Sequence, residues 1–383
     1  MQLDRKLLVF VTATLAGLGL LMVYSSSLTA KPSFLDQRYL MRQASFLAIG
    51  VITAAVASQA SPDFWRKNSK PLLAVSIALL VAVLIPAVGA KINGARRWIR
   101  LGSVSIQPSE LAKLALVVYL AAAMDQLREG IRQFWRGWFP LLLAPVGMGG
   151  LVLLEPDFGT AVFLIVIAGI MLFLGGVPIW HMLTVCGGAV PVIALLVLCQ
   201  PYRVTRIFQF VAGWSDPSAA PYQVQQSLVA LGSGGLWGSG LGQGWQKLGF
   251  LPEANTDFVF AVIGEELGLA GTLTVLALWA VFMICGVRLA RRCASTHFAY
   301  LCSTGLISQI VFQAVLNMAV VTGSLPPKGI SLPLLSAGGS NLVVSLLSVG
   351  MVLGMTNAAS PLARGSEQRR FCAGLTLRVR VGP

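Results

Sequence analysis

The sequence predicts an all-α polytopic membrane protein of about ten transmembrane helices, with a long extracytoplasmic loop between helices 7 and 8. Three observations carry this. Only 11% of the 383 residues are charged and 56% are hydrophobic, where a soluble domain carries about 25% charged residues; the mean hydropathy is +0.78. Ten apolar runs approach the roughly 20 residues needed to cross about 30 Å of hydrocarbon. Basic residues alternate in abundance between successive connections, the pattern that orients membrane proteins.

The runs can be read in order. Leu7 to Tyr24 follows Arg5 and Lys6, and no small-x-small cleavage site succeeds it, so it reads as a retained anchor rather than a signal peptide. Ala44 to Ala60, Pro71 to Ala90 and Leu111 to Met124 come next. Trp138 to Leu154, Thr160 to Leu174 and Ile179 to Cys199 complete the first seven, the runs at 111–124 and 160–174 being the shortest. Phe258 to Val287, Tyr300 to Val321 and Gly338 to Thr356 close the set. Residues 1–360 form one transmembrane domain and 361–383 a basic cytoplasmic tail. Sixteen of the 28 Lys and Arg fall at the termini and in even-numbered connections, against five acids there. Both termini are therefore expected in the cytoplasm, and residues 200–257 outside.

The net charge of +14 would suggest nucleic acid in a soluble protein; here loop cations account for it, and no nucleic acid is expected. The six cysteines show no CxxC or Cys/His spacing, which excludes a zinc motif and a disulfide framework. The Gly-rich pieces 231–242 and 336–340 follow no strand, so they are not nucleotide fingerprints. They read as tight turns and close backbone approaches. The segment 91–108 interleaves cations with apolar residues and reads as lying at the membrane interface.

Chemistry concentrates in few residues. Seven outer-side cations (Arg96, Arg97, Arg100, Arg203, Arg206, Lys247 and Lys328), with Lys113 just inside a span, suggest an anionic ligand such as a phosphate. The plainer reading is lipid-headgroup contact. Glu110 and Lys113, three apart on one helix face, can pair. Glu155 and Asp157 sit in a sharp turn between two spans, with Thr160 as a candidate helix start. Asp257 lies where a polar loop meets an apolar helix, with Asn255 and Thr256 as candidate helix N-caps. Glu265 and Glu266 follow about 12 Å deeper along that helix, where carboxylates are costly. A carboxylate at the position of Asp257 can accept a proton from a sugar hydroxyl, though a charge in the first turn of a helix is the plainer account.

Six motifs in order resemble the FtsW/RodA/SpoVE family, the shape, elongation, division and sporulation proteins. They are Asn93-Gly-Ala-Arg-Arg-Trp-Ile-Arg-Leu-Gly102 leading to Gln107-Pro-Ser-Glu-Leu-Ala-Lys113; Glu155-Pro-Asp-Phe-Gly-Thr160; Pro201-Tyr-Arg-Val-Thr-Arg206; Tyr222-Gln-Val-Gln-Gln-Ser227; Leu251-Pro-Glu-Ala-Asn-Thr-Asp-Phe-Val-Phe260 with Gly264-Glu-Glu-Leu-Gly268; and Leu332-Pro-Leu-Leu-Ser-Ala-Gly-Gly-Ser340. The division-type branch fits best. The resemblance implies a peptidoglycan glycosyltransferase of the bacterial cytoplasmic membrane that polymerises lipid II into a nascent glycan strand at the outer face. Asp257 matches the essential loop aspartate; Arg97, Glu110, Lys113, Asp157 and Arg203 match cavity positions, and Arg206 and Lys328 join them as substrate-binding candidates. A class B penicillin-binding transpeptidase within a divisome or elongasome is the implied partner, and a divalent cation (Mg or Mn) an implied cofactor with no legible ligand set. Two positions depart from the family pattern: Ala337 stands where Tyr is common and Asn255 where His is common. The rival readings are a lipid II flippase, which needs no base at Asp257, and a non-catalytic scaffold for a transpeptidase.

Overall fold

Ten helices of the computed structural model answer to the ten apolar runs. The structure describes residues 2–27, 34–92, 94–102, 104–293 and 296–358; the tail expected at 361–383 lies outside them. Helix α1 (Gln2–Ser27) is followed by α2 (Phe34–Ala57), a short α3 (Pro62–Lys67), α4 (Ser69–Leu84) and α5 (Pro108–Leu127). Irregular helical turns over 128–142 lead into α6 (Leu143–Leu154), then α7 (Phe158–Leu174) and α8 (Ile179–Leu198). After α9 (Pro201–Ser215) and α10 (Tyr222–Ser233) come the three closing helices, α11 (Val259–Arg292), α12 (His297–Val321) and α13 (Gly339–Ala358). Among the described residues seven helical stretches are long and apolar enough to cross a bilayer, and α4 and α7 are shorter apolar helices. Helix α5, which carries Glu110, Lys113 and Asp125, is buried on nearly every face. That is the place for an apolar helix that also holds charge.

Side-chain pairings sort the connections into two ends. At one end Arg97, from the segment before α5, donates to the Glu155 and Pro156 carbonyls between α6 and α7. There too Arg206 donates to the Pro327 carbonyl between α12 and α13. At the other end Arg66 pairs with Asp125 at 3.1 Å, Arg292 with Asp4 at 2.7 Å, and Arg5 donates to Asn357. Odd connections meet odd and even meet even, the sorting that alternating passes produce.

Helices α5, α12 and α13 form the interior, and α8, with no buried residue, the periphery. Small residues set one close approach. A methyl at Gly354 would stand 2.8 Å from the Ala57 carbonyl oxygen, and one at Gly350 2.8 Å from the Ala54 carbonyl carbon, so α2 and α13 touch backbone to backbone, as membrane helices do through small residues.

Two expectations are refined and two corrected. The segment 91–108 is an antiparallel meander of β1 (Gly89–Ile92), β2 (Ala95–Leu101) and β3 (Val104–Ile106) rather than a plain interfacial stretch. Gly94 and Gly102, at φ 81° and 62°, make its turns. The long loop 200–257 carries α9 and α10. Asn255 and Thr256 do not cap α11: the cap position is Phe258, without a side-chain bond, and the Thr256 hydroxyl bonds Glu253 instead at 2.9 Å. Helix α11 is also not continuous, because Gly268 (φ 67°, ψ −163°) breaks it after nine residues.

The broken backbone is satisfied by the Gly-rich stretch. The Leu269 and Ala270 amides donate to the Gly235 and Leu236 carbonyls, while the Ser239 and Gly240 amides donate to the Glu265 and Glu266 carbonyls. In hydrocarbon such groups must find protein partners. Side chains at Gly234 and Gly238 would collide with residues 264–267, so the glycines serve close backbone approach as expected. The Glu266 carboxylate accepts from Ser25 and from Lys247 Nζ at 2.6 Å, and Glu265 accepts from the Trp245 and Gln246 amides. Lys247 is thereby removed from the set of free outer cations: its side chain is 1% exposed and paired.

Candidate functional site

At the Asp257 end, five segments bring charge together. Strand β2 supplies Arg97, the α6–α7 turn supplies Glu155 and Asp157, and α5 supplies Glu110 and Lys113. The loop before α11 brings Asp257, and the loop between α12 and α13 brings Lys328. Asp157 caps α7, its carboxylate accepting from the Thr160 amide at 3.0 Å and hydroxyl at 2.8 Å. Arg97 lies 3.8 Å from that carboxylate. Helix α7 therefore begins at Phe158, and its capping carboxylate is also the counter-charge of the meander.

Asp257 is partly covered, and its carboxylate lies against bare backbone: a methyl at Gly329 would stand 2.8 Å from Oδ2. Burial first, then the charges of Glu253 and Asp157, push the Asp257 carboxyl up to about 7, while Lys328 and Arg97 pull the other way. Burial, opposed by Asp157 and Glu110 and assisted by Lys113 and Arg97, brings Lys328 down to about 8. Glu155, 1% exposed with neither carboxylate oxygen hydrogen-bonded, is pushed up to about 8 by burial and then by Asp157, against Arg97. An acid poised near 7 in the field of a cation that is still charged at neutral pH suits proton acceptance coupled to anion binding.

Deeper in, Lys113 Nζ is 2.9 Å from Glu110, donates to Gln313 Oε1 at 2.6 Å and lies 5.0 Å from the Phe163 ring centroid. The expected Glu110–Lys113 pair is thus present and extended by Asn341, which donates to Glu110 at 3.0 Å. Arg203 and Arg206 reach the rim from α9. Arg203 sits 4.8 Å over the Phe158 ring and donates to the Leu196 carbonyl, while Arg206 stacks on Tyr202 and bonds the Pro327 carbonyl. Six of the eight named residues thus form one electrostatic group, and these two arginines border it.

Gln313 and Asn317, one turn apart on α12 and almost fully buried, are not among the residues named from sequence. Their signal was present: Gln309, Gln313 and Asn317 recur at i, i+4 in an apolar run, where polar groups need a reason. The two departures from the family pattern also meet, since the Ala337 amide donates to the Asn255 carbonyl at 2.9 Å.

Fold and site together define a polytopic helical membrane protein with a charged constellation, contributed by five segments, at one end of the bundle. The chain belongs to the FtsW/RodA/SpoVE family, described as cell cycle proteins, whose model matches residues 5–360. It is 41% identical over 357 residues, 93% of both chains, to a probable peptidoglycan glycosyltransferase FtsW of Trichlorobacter lovleyi. It is 39% identical to the stage V sporulation protein E of Bacillus subtilis, over 91% of this chain and 96% of that one. Among solved structures it resembles, at a TM-score of 0.76 and 29% identity, a chain from a peptidoglycan synthase complex that coordinates polymerization and crosslinking, covering 92% of this chain and 98% of that one. The rod shape determining protein RodA of Thermus thermophilus follows at a TM-score of 0.67 and 30% identity, covering 92% and 96%.

Proposed function

We infer that this chain is a peptidoglycan glycosyltransferase that polymerises lipid II, with Asp257 as the base. The observation that carries the reading is the placement of the Asp257 carboxylate on the bare backbone of Gly329, in the field of Lys328 and Arg97. The 4-hydroxyl of the acceptor gives its proton to Asp257 as its oxygen bonds to the anomeric carbon of the donor. The bond from that carbon to the lipid diphosphate breaks, and the diphosphate leaves with the electron pair. Arg97 and Lys328, with Arg203 and Arg206 at the rim, hold the diphosphate and stabilise its developing charge. Lys113, held by Glu110 and Gln313, adds positive potential from below. Keeping two lipids beside one base supplies acceleration through proximity. Attack from the opposite face turns an α-linked donor into a β linkage.

The distribution of cations supports an Asp257 end outside the cytoplasmic membrane and both termini inside. Resemblance to a chain of a synthase complex supports a class B transpeptidase partner within a divisome or elongasome. Residues 361–383 are read as a cytoplasmic tail beyond a single transmembrane domain. Among the described residues no three His, Cys, Asp or Glu are grouped to hold a metal, but Mg2+ needs only one or two carboxylates beside substrate phosphates, so the divalent cation rests on the resemblance alone.

Replacing Asp257 with Asn in purified protein should abolish glycan strands on a gel while lipid II still binds. Strands made at the wild-type rate by the variant would refute the assignment of the base. Translocation of lipid II by a wild type that makes no strands would favour a flippase.

A further inference from the structure

We propose that Asn317 is a positioning residue for Asp257, riveting the loop that carries the base to the loop that carries Lys328. The proposal rests on the glycosyltransferase reading above. Asn317 is 1% exposed on α12, and its side-chain amide donates one hydrogen to the Asp257 carbonyl at 2.7 Å and the other to the Ile330 carbonyl at 2.6 Å. Asp257 closes a turn in which its own amide donates to the Glu253 carbonyl at 3.1 Å, and Ile330 lies outside any helix or strand. Each loop is ordered locally, but no other hydrogen bond among the described residues joins the Asp257 backbone to the Ile330 backbone. Ile330 is itself tied to Lys328, its amide donating to the Lys328 carbonyl at 3.0 Å. One amide group thereby ties the backbone of the base to the backbone that carries the cation.

Gln313, one turn earlier, repeats the device for the deeper cation. Its amide donates to the Ser331 carbonyl at 3.0 Å and its oxygen accepts from Lys113. The same edge of α12 therefore indexes the 330–331 backbone twice. Only an amide does this at position 317, because both groups facing it are acceptors. A carboxylate of the same shape would repel both, and an aliphatic chain of similar size would leave both unpaired.

The test is a graded series, Asn317→Ser, Asn317→Leu and Asn317→Asp, in full-length detergent-purified protein. Strand synthesis from lipid II is normalised to the folded fraction measured by thermal shift, across pH 5.5 to 9. We expect kcat to fall by about tenfold or more in Leu and Asp and less in Ser, with KM for lipid II changed less than threefold. The acid limb of the pH profile should move from its wild-type position, because the distance from base to cation has changed. A normalised kcat equal to wild type, or a loss of kcat with the limb unmoved, would overturn the proposal. Asn317→Ser, the mildest change, keeps the test open if the other two fail to fold, and an unfolded Ser variant would show a structural role and overturn it as well. A wild type that makes no strands would refute the underlying function instead, so the two failures are distinguishable.

Discussion

Removing the charge at Lys328 gives the sharpest test of the site's electrostatics. With Asp257 pushed up to about 7 and Lys328 down to about 8, kcat/KM for lipid II should trace a bell. Below pH 7 the base is protonated and the rate falls about tenfold per pH unit. Above pH 8 Lys328 loses its proton and its hold on the diphosphate. Lys328 stabilises ionised Asp257, so Lys328→Met should raise the Asp257 pKa and move the acid limb to higher pH. An opposite charge within about 4–6 Å shifts a carboxyl by 1–3 units; Lys328 acts on Asp257 from beyond ion-pair distance and both groups are partly exposed, so about one unit is expected. The same variant should lose the alkaline limb near 8. A gel assay of strand synthesis at saturating and limiting lipid II, from pH 5.5 to 9, reads both limbs, which belong to the coupled pair. An acid limb that stays put, or moves down, in Lys328→Met would show that Lys328 is not the cation that tunes the base.

Three further outcomes follow from the packing. A methyl at Gly159 would overlap the flexible end of Lys328, so Gly159→Ala should raise KM for lipid II several-fold while thermal stability is kept. Lys247→Met leaves Glu266 buried and without its cation, which should cost about 3–5 kcal/mol; Lys247→Met with Glu266→Gln should recover part of that in a denaturant titration. Gly268→Ala forces a side chain into a backbone conformation nearly reserved for glycine and toward the Leu236 carbonyl oxygen. The strain alone is worth about 1–3 kcal/mol, and a midpoint equal to wild type would refute the account of the break.

The long-range architecture was legible because hydrocarbon imposes it. Each span needs a minimum apolar length, and α12 and α13 begin and end within three residues of the expected runs at 300–321 and 338–356. Glu110 and Lys113 were readable as a pair because helical spacing alone brings them together. The meander was missed although Asn93-Gly94 lies between alternating residues, a hairpin signal overshadowed by the cations around it. Lys247 was misassigned because its partner Glu266 lies across a loop whose path depends on the break at Gly268, and a glycine in an apolar run gives no sign of breaking it. Asn317 was passed over for a similar reason: its two acceptors are backbone carbonyls, and sequence does not say which of these come near a given side chain.

The interruption at Gly268 also has a mechanical meaning. The stretch 235–247 bonds both arms of that break: the Leu269 and Ala270 amides of the longer arm donate to it, and the Glu265 and Glu266 carbonyls of the shorter arm accept from it. Bilayers of different thickness tilt long spans, and a bend splinted on both sides turns as one piece, so its angle is kept. The loop of Asp257, which leads directly into the shorter arm, thus keeps a set direction relative to the longer one.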